Sequence, residues 1–576
     1  MDVCSSPSLV EITSGVVTDL LEDRYQLAPH FPAFTRPHQG GWTEVSTADF
    51  RSQVRALARG LVAAGVEPGD YVIIWAPTCY EWAVAELATG YAGAVVIPLY
   101  DTASQAQAAD IIGRCPPRLA LVAGRERATT LTELGVPHVE LSDSGFAELA
   151  AAGEAVSEEE IEHRRTSPDL DDPATIVFTS GTTGGPKGAL ITHRNLLHQV
   201  RNIRAAYSQI VREGGSTIIL LPLAHVLARG LQQVCLGNGL TIAHIADPAA
   251  AVASLGELRP TFLVVVPRIM EKILAAIEAT ASEKHLGAVW RFAFAAGVAR
   301  GRAKLGEQTE PRFSRLLFPL LDRLFFAKIR AKLGGRMEYM LSGAAPLDAD
   351  TCRFFLGIGL PVVEGYGLTE TTAPITGNLP GHIKPGTVGR PVPGATVKIE
   401  DGEVLVAGAG VVPGYENDRD TEAGFSNGFF RTGDLGCLDE DGYLTLTGRC
   451  KDLIVTSGGK TIIPAAWEQA VEAAPGIDHA IVVGDGQAHP AALIFLEEAG
   501  HSLREVRGEA RALAARAVTA ANRLVSQAEE VRRFLVLAGD LSNFLTPTQK
   551  IRRSRLIARL EPRIDDLYRA ERHRLR

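Results

Sequence analysis

The sequence has little cysteine, no excess of positive charge and no long apolar run, and each absence excludes a class of protein. Its seven cysteines are scattered through 576 residues. They form no Cys-x-x-Cys pair, so neither a disulfide framework nor a zinc site is expected. Lysine and arginine total 58 against 67 aspartates and glutamates, and the formal charge of −9 gives no general attraction to nucleic acid. No apolar stretch approaches the roughly 18 residues of a membrane span, and no basic-then-apolar leader opens the chain. We therefore expect a protein of the reducing cytoplasm.

The length of the chain exceeds that of a single hydrophobic core, so two or more domains are expected. Helical patterns alternate with wholly apolar strand-like runs such as Tyr71–Trp75 and Leu119–Val122. This alternation predicts stacked α/β layers around largely parallel sheets. After about residue 390, glycine-rich turns separate short alternating strands, a texture typical of a β-rich subdomain.

Apolar strands and helical segments return beyond Arg449, and the longest helical segment is predicted over residues 503–535. The predicted fold class is α/β. A large N-terminal domain, residues 1–449, combines stacked α/β layers with the β-rich subdomain. A small α+β C-terminal domain follows, residues 450–576.

A candidate phosphate loop reads Thr-Ser-Gly-Thr-Thr-Gly-Gly-Pro-Lys-Gly over residues 179–188, directly after a strand-like run. Small residues let backbone N–H groups approach anionic oxygens, while hydroxyls and a lysine add donors. It is not a Walker A loop, because Pro186 precedes the lysine and Gly188 follows it. Taken alone, the pattern also fits a plain turn. Its candidate phosphate ligands are Thr179, Ser180, Gly181, Thr182, Thr183, Gly184 and Lys187.

Four further segments strengthen the nucleotide interpretation. Residues 342–346, Ser-Gly-Ala-Ala-Pro, allow close backbone approach to a flat ring. In residues 364–372, Glu-Gly-Tyr-Gly-Leu-Thr-Glu-Thr-Thr, the aromatic can stack on a base and Glu370 can hold Mg²⁺. Asp434, which ends Phe-Arg-Thr-Gly-Asp, can accept two hydrogen bonds from a ribose diol. The fourth group is Gly-Arg-Cys-Lys-Asp at 448–452 with Ser-Gly-Gly-Lys at 457–460, and Leu-Thr-Pro-Thr-Gln-Lys-Ile-Arg-Arg follows at 545–553.

In this order and spacing the segments resemble the adenylate-forming superfamily, which includes acyl-CoA synthetases, nonribosomal adenylation domains and firefly-type luciferases. The resemblance covers about residues 42–553. Residues 222–229, Pro-Leu-Ala-His-Val-Leu-Ala-Arg, residues 98–102, Pro-Leu-Tyr-Asp-Thr, and the Leu-Thr-Pro-Thr motif look most similar to bacterial long-chain fatty-acid CoA ligases. The fold implied is a large N-terminal domain with a small, mobile C-terminal domain.

The activity implied by the resemblance is ATP-dependent conversion of a fatty acid to acyl-AMP, followed by transfer to the thiol of CoA. Lys550 would act with the phosphate loop on the reacting phosphates, Thr182 and Glu370 would hold Mg²⁺, and Lys451 would be the hinge. His225 would border the acyl pocket. The other residues implied to bind nucleotide or to lie near the thiol are Gly343, Ala344, Glu364, Gly365, Tyr366, Gly367, Thr369, Asp434, Arg449, Gly458 and Gly459.

Three of these assignments have a plain structural alternative. His225 could be a hydrogen-bonded core histidine, and Lys550, in a tail rich in lysine and arginine, could be a solvated charge. Asp434 could cap its turn. We rank ribose binding by Asp434 above the cap because the neighbouring motifs also match, and the fixed place of Lys550 in its motif favours a catalytic role.

Some positions depart from the family pattern. Residues 406–410 read Val-Ala-Gly-Ala-Gly where the family carries an arginine and a proline, and Phe429 stands where tryptophan is common. Residues 460–464, Lys-Thr-Ile-Ile-Pro, are an atypical version of the segment after the glycine pair. Because of the last departure, the sequence determines the identity of the thiol acceptor less well than it determines the adenylation step. An acyl-carrier protein bearing phosphopantetheine is the alternative to CoA, and a nucleotide-binding module without chemistry is a further one.

Residues 312–332 form a basic and strongly apolar helical stretch. Such a segment could lie on an anionic bilayer and make the protein peripheral to the inner face of the membrane. The favoured interpretation is a helix that packs its Leu/Phe stripe on the core while its basic residues stay solvated. No nucleic-acid partner is expected.

Overall fold

The computed structural model describes residues 1–179, 186–496, 502–527, 529–546 and 551–572. The chain forms two compact units. Unit 1 comprises Met1–Lys398, Leu405–Arg431 and Leu438–Thr445, and unit 2 comprises Ile399–Val404, Thr432–Cys437 and Leu446–Arg576. The division at residues 449 and 450 stays a prediction.

The strands are β1 (Val3–Ser5), β2 (Pro32–His38), β3 (Gly41–Ser46), β4 (Tyr71–Trp75), β5 (Val95–Leu99), β6 (Leu119–Val122), β7 (His138–Glu140), β8 (Pro173–Thr179), β9 (Lys187–Thr192), β10 (Ser216–Ile219), β11 (Thr241–His244), β12 (Phe262–Val265), β13 (Tyr339–Ser342), β14 (Val362–Tyr366), β15 (Thr376–Gly377), β16 (Arg390–Pro391), β17 (Ala395–Glu400), β18 (Glu403–Gly408), β19 (Phe425–Ser426), β20 (Phe429–Leu438), β21 (Leu444–Arg449), β22 (Ile454–Val455), β23 (Thr461–Ile462), β24 (Ile477–Val483), β25 (Ala491–Leu496), β26 (Arg504–Glu505) and β27 (Arg533–Ala538).

The α-helices are α1 (Asp19–Leu27), α2 (Thr47–Ala63), α3 (Tyr80–Tyr91), α4 (Gln105–Arg114), α5 (Arg125–Glu133), α6 (Asp143–Ala152), α7 (Glu158–Arg165), α8 (His193–Ala206), α9 (Val226–Gly237), α10 (Pro248–Leu258), α11 (Pro267–Glu283), α12 (Gly287–Lys304), α13 (Arg312–Leu321), α14 (Ala327–Lys332), α15 (Ala349–Gly357), α16 (Asp418–Gly424), α17 (Ala465–Glu472), α18 (Glu509–Asn522) and α19 (Arg553–Arg572). A π-helical turn, Asp322–Phe326, joins α13 to α14.

Unit 1 is built on largely parallel sheets. One has the order β7-β6-β4-β5-β8-β9, in which only the β8–β9 pair is antiparallel. A second, β12-β13-β14-β15-β16, begins with three parallel strands, and a third has the order β10-β11-β2-β3. The strands β4 and β5 are apolar and largely buried because helices cover both faces of a parallel sheet. The predicted α/β fold class is therefore confirmed.

Unit 2 contains the four-stranded sheet β24-β25-β27-β26 and the hairpin β22-β23. Adjacent residues of β25 face opposite cores, since Ile494 packs with residues of α17 and α18 while Leu493 packs with residues of α19. Strands β17, β18, β20 and β21 each contribute residues to both units.

The prediction of one helix over residues 503–535 is wrong. Residues 504–505 are strand β26, α18 covers only Glu509–Asn522, and β27 begins at Arg533. The apolar end of this segment pairs in parallel with β25, so Leu535 lies opposite Leu493. A short apolar run does not distinguish a helix from a buried strand, and sheet pairing decided the outcome here.

Among the described residues, no helix has both the length and the apolar character needed to cross a membrane.

Helices α12 and α15 pack at backbone contact distance because glycines face the contact. A Cβ added at Gly357 would lie 1.9 Å from the carbonyl oxygen of Gly297, and one at Gly301 would lie 2.0 Å from that of Arg353. Beside them the rings of Phe294 and Phe354 stack with centroids 4.8 Å apart. Any side chain at either glycine would therefore force the two helices apart.

We expect Gly357→Ala to lower the free energy of unfolding of unit 1 by about 2 kcal/mol or more, because the new methyl group overpacks a closed contact. Urea unfolding followed by circular dichroism would measure this. The control is Gly113→Ala in α4, where a Cβ meets nothing within 4 Å. It should change stability by less than about 1 kcal/mol, in the stabilising direction. Equal losses in both variants would contradict the packing argument.

Candidate active site

The candidate phosphate loop lies between the two strands of the hairpin β8–β9. Thr179 ends β8 and stands opposite Lys187, which begins β9, and the Thr179 hydroxyl donates to the Lys187 carbonyl at 3.3 Å. Strand β8 is nearly all buried and pairs with β5 at the centre of the sheet. The sheet thus fixes both ends of the loop.

The predicted ligands within the loop and the predicted catalytic lysine lie outside the described residues. They are Ser180, Gly181, Thr182, Thr183, Gly184 and Lys550.

A segment from far along the chain holds the second strand of the hairpin. The Gly188 amide donates to Glu416 Oε2 at 2.6 Å, and the Glu416 amide donates to the Gly188 carbonyl at 2.8 Å. A Cβ at position 188 would lie 2.7 Å from that Glu416 oxygen and 2.9 Å from Ile176 Cγ2. Arg114 completes the contact, since it pairs with Glu416 and donates to the Pro186 carbonyl. Glycine is therefore required at this position by close packing.

Two residues that the motifs did not include contact the Lys187 side chain, and one of them, Tyr415, also contacts Glu370. Lys187 Nζ lies 2.8 Å from Asp420 Oδ1 and 5.4 Å from the centre of the Tyr415 ring. The Tyr415 hydroxyl donates to Glu370 Oε1 at 2.8 Å. The ion pair with Lys187 lowers the pKa of Asp420, and burial with the nearby Glu370 charge raises that of Tyr415. The predicted phosphate lysine and the predicted metal carboxylate are thus brought together.

Glu370 itself stands on a single 3₁₀ turn, Thr369–Thr371, just after β14. Its backbone is fixed as well, because its carbonyl accepts the Val412 amide at 2.9 Å. Gly367 precedes the turn, and a Cβ there would lie 3.0 Å from the Cα atoms of Ala373 and Pro374. The turn therefore depends on a glycine before it.

The candidate adenine site lies at the carboxyl ends of the neighbouring parallel strands β13 and β14. Ser342 stands opposite Glu364, which places Gly343 beside Gly365, and a Cβ at Gly343 would lie 3.4 Å from the Gly365 carbonyl oxygen. Ala344 has φ of 69°, and Tyr366 is buried. Ligands of open α/β sheets bind at this end of the strands, where side chains and loops can surround them.

Glu364 is a buried carboxyl group, 4 % exposed, whose Oε2 has no hydrogen-bond partner among the described residues. The buried hydroxyl of Ser342 is likewise unpartnered within that set. Burial, with a smaller effect of the Asp348 charge, raises the pKa of Glu364 to about 8. A neutral carboxyl group can donate as well as accept a hydrogen bond, which suits contact with a base.

His225 is the N-cap of α9, and its Nδ1 accepts the Leu227 amide at 3.2 Å. One turn later Arg229 pairs with the buried Glu86 at 2.8 Å. The start of the helix is thereby anchored to α3. The contacts give His225 a structural role as a cap, and its role at an acyl pocket stays a prediction.

The remaining predicted residues belong to unit 2. Arg449 Nε donates to Asp434 Oδ1 at 2.5 Å, while the Asp434 amide donates to the Thr432 hydroxyl at 3.0 Å. The capping hydroxyl in this turn is thus that of Thr432, and the Asp434 carboxylate pairs with Arg449. Lys451 lies exposed on a 3₁₀ turn directly after β21.

Gly458 and Gly459 form the exposed tip of the hairpin β22–β23. Gly459 has φ of 78°, and its amide donates to the Thr456 carbonyl at 2.8 Å. A glycine is favoured at this position because other residues rarely adopt that backbone conformation.

The residue types at the site fit Mg²⁺. Protein sites for this ion commonly supply one or two carboxylates and leave the other positions to water and substrate phosphates. Glu370 provides such a carboxylate close to the end of the phosphate loop. Within the part of the chain that the structure describes, no group of three or more His, Cys, Asp or Glu side chains could hold a metal ion alone.

Comparison with known families agrees with the motifs. A model of the AMP-binding enzyme family matches residues 21–416, and a model of the AMP-binding enzyme C-terminal domain matches residues 451–572. The chain belongs to the AMP-binding enzyme family. The predicted resemblance to adenylate-forming enzymes is thereby confirmed.

Relatives of the chain within the family include long-chain enzymes. The long-chain-fatty-acid–CoA ligase FadD15 of Mycobacterium bovis is 36 % identical over 573 residues, covering 94 % of this chain and 95 % of the relative. The long-chain-fatty-acid–CoA ligase ACSBG1 of Rattus norvegicus is 30 % identical over 500 residues, covering 79 % of this chain and 67 % of the relative.

Solved structures of the same fold include two with a bound nucleotide. The O-succinylbenzoate coenzyme A synthetase MenE of Bacillus subtilis, in complex with AMP, has a TM-score of 0.71 at 22 % identity, over 94 % of this chain and 98 % of that one. ATP-bound MatB of Rhodopseudomonas palustris has a TM-score of 0.72 at 24 % identity, over 95 % of this chain and 99 % of that one. These likenesses establish the fold.

Four residues of the site were missed by the sequence analysis: Arg114, Tyr415, Glu416 and Asp420. Residues 414–417 read Gly-Tyr-Glu-Asn and follow the glycine-containing stretch 406–410, which was treated only as a departure from the family pattern. The signal that could have identified them was an aromatic residue and a carboxylate, Tyr415 and Glu416, soon after this stretch. Nothing local in the sequence indicated that Arg114 would reach them.

We expect Glu364→Gln to change the pH dependence of stability. Because folding raises the pKa of Glu364 from 4.5 to about 8, the folded chain keeps a proton that the unfolded chain has released. Wild-type stability therefore falls as pH rises between these values, and glutamine has no such loss. The stability of the variant relative to wild type should increase from pH 5 to pH 8.5 by a few kcal/mol.

Urea midpoints measured across this pH range would test the expectation, with the exposed Glu440→Gln as the control for the amide substitution itself. A difference between Glu364→Gln and wild type that stays constant with pH would contradict a buried, neutral Glu364.

Proposed function

We propose that the protein activates a long-chain fatty acid with ATP and transfers the acyl group to CoA. In the first step a carboxylate oxygen attacks the α-phosphorus of ATP, the new bond gives acyl-AMP, and pyrophosphate leaves. In the second step the thiol sulfur attacks the acyl carbonyl carbon, the thioester forms, and AMP leaves. Relatives named long-chain-fatty-acid–CoA ligase, aligned over most of the chain, support this proposal.

The observation that carries the proposal is the connected set Lys187, Asp420, Tyr415 and Glu370 at the end of the phosphate loop. A cation and a metal-type carboxylate within one set of contacts suit a reaction at a polyphosphate. The adjacent carboxyl ends of β13 and β14 provide glycines and a buried tyrosine for a flat base.

The proposed roles of unit 1 residues follow from this arrangement. The loop residues 179–187 hold the phosphates, and Gly343, Glu364 and Tyr366 border the adenine. Thr182 and Glu370 hold Mg²⁺, which when bound neutralises charge on the phosphate oxygens. His225 borders the acyl group.

Unit 2 contributes the residues that the two steps use differently. Asp434 and Arg449 orient the ribose, Lys550 stabilises the reacting phosphate in the first step, and Lys451 is the hinge for rotation. After rotation the glycine tip of the β22–β23 hairpin serves the thiol step. In this proposal the two steps use different lysines: Lys550 in the last motif and Lys451 directly after β21.

A carrier protein bearing phosphopantetheine is the alternative acceptor, because it presents the same thiol. Residues 460–464 follow the hairpin tip and depart from the family pattern, so a carrier protein stays the alternative acceptor. We place the protein in the cytoplasm.

Hydroxylamine trapping tests the proposal. With ATP, Mg²⁺ and fatty acids of graded length, we expect hydroxamate without CoA and the highest yield for a long chain. Parallel reactions with CoA and with a loaded carrier protein identify the acceptor. No hydroxamate with any acid would reject adenylation and leave a nucleotide-binding module.

We expect Tyr415→Phe to lower adenylation about tenfold, because the hydroxyl that orients Glu370 is lost. The Mg²⁺ concentration that gives half-maximal ATP–pyrophosphate exchange should rise, whereas equilibrium binding of ATP without Mg²⁺ should not change. The control is Tyr443→Phe, which removes a hydroxyl that donates to the His382 carbonyl. An unchanged Mg²⁺ requirement in Tyr415→Phe would show that this hydroxyl does not position Glu370.

Lys550→Ala and Lys451→Pro should separate the two half-reactions. Loss of a charge-assisted contact to the reacting phosphate should slow hydroxamate formation by on the order of 10²-fold or more, while thioester formation from preformed acyl-AMP persists. Proline at position 451 fixes φ at the proposed hinge, so adenylation should persist and thioester formation should fall. Equal loss of both half-reactions in both variants would argue against domain alternation.

A further inference from the structure

We propose that α13, the π-helical turn and α14 form a docking surface for an anionic phospholipid bilayer. The surface is centred on three leucines, Leu316, Leu320 and Leu324, which we call the leucine ridge. Their exposed fractions are 78 %, 55 % and 37 %. Leu316 and Leu320 are four residues apart on α13 and so lie on one side of it. Leu324 follows on the π-helical turn, and all three side chains face solvent.

The ridge is not the side of the segment that packs on the protein. That side is formed by Leu321, Phe325, Phe326 and Ile329, which are buried in the core of unit 1. The favoured sequence interpretation, a Leu/Phe stripe packed on the core, is therefore correct for this side of the segment, against which the partly buried Phe318 also packs. A second apolar row remains on the solvent side.

The positive charge of this segment indicates that its binding partner is anionic. Residues 312–332 contain six basic residues and one acidic residue, although the whole chain carries −9. Arg312, Arg315, Arg323 and Lys328 are exposed beside the ridge, and the single acid, Asp322, is neutralised by Arg330 at 2.8 Å. Exposed basic residues next to leucines match anionic headgroups above acyl chains.

Two other occupants fit less well. A second copy meeting ridge to ridge would bring the same four cations against each other, and like charges at close range oppose association. An acidic protein would satisfy the charges, but it would need a groove for a convex row of leucines. A bilayer accepts such a row by parting its headgroups. A membrane surface would also present long-chain acids to the enzyme, although vesicle binding can be measured without substrate and does not rest on the proposed function.

Co-sedimentation of the full chain with vesicles tests the proposal. We expect binding to vesicles of phosphatidylglycerol and phosphatidylcholine, and little binding to phosphatidylcholine alone. The double variant Leu316→Ser with Leu320→Ser should lower the partition coefficient at least about tenfold. The matched control is Leu27→Ser with Leu524→Ser, whose leucines are 73 % and 71 % exposed. It should bind as wild type does.

Charge variants complete the experiment. Arg312→Gln with Arg315→Gln should weaken binding to the anionic vesicles about tenfold, whereas Arg507→Gln, at an exposed position far along the chain, should not. Equal loss in the two leucine doubles would overturn the proposal. A dimer seen by light scattering that the double variant Leu316→Ser with Leu320→Ser abolishes would also overturn it. The same holds for binding to an acidic carrier protein that depends on the ridge and occurs without binding to vesicles. Thermal unfolding and hydroxamate formation from a water-soluble acid confirm that each variant is folded.

Discussion

The contact between Gly188 and Glu416 is the constraint on which the site depends. Two backbone segments meet there without an intervening side chain, and the Glu416 carboxylate accepts an amide of the hairpin while pairing with Arg114. The space is closed by Ile176 on the strand below. Strand β9 is held by this contact and β8 by its pairing with β5, so the loop between them starts and ends at fixed points. Backbone N–H groups can stabilise anions strongly only when they are held in place before the anion arrives.

The same segment positions side chains as well as backbone. Once Glu416 is fixed, the preceding Tyr415 lies with its ring near Lys187 and its hydroxyl on Glu370. Asp420, from the following helix α16, holds the Lys187 ammonium group from another direction. A long flexible lysine would otherwise sample many conformations, and ordering it during binding would cost side-chain entropy. The contacts therefore prepare the lysine before substrate enters, and they do so with residues that touch no phosphate in our assignment.

The sequence was sufficient to predict features that depend on local patterns. Strand β4 and strand β6 were predicted with the bounds they have, because continuous apolar runs between turns are characteristic of buried parallel strands. The juxtaposition of Gly343 and Gly365 was implied only through the family resemblance. Contacts at long range could not be predicted: Arg114 and Glu416 are separated by roughly three hundred residues, and no local pattern pairs them. Strand β27 was missed for the related reason that its partner, β25, is distant in sequence.

Two carboxyl groups six residues apart, Glu364 and Glu370, show how the fold gives one residue type two chemical functions. Glu364 lies on β14 with a buried Oε2 that has no hydrogen-bond partner in the described part of the chain, and burial holds its pKa near 8. Glu370 lies beyond the strand on a turn, where it accepts the Tyr415 hydroxyl and is partly exposed. A neutral carboxyl group can exchange hydrogen bonds with an uncharged base, whereas a carboxylate oxygen in a polar setting can bind a cation. The end of β14 therefore separates a region suited to a base from a region suited to phosphates and metal, and the distance between the two regions is set by one strand end and one turn.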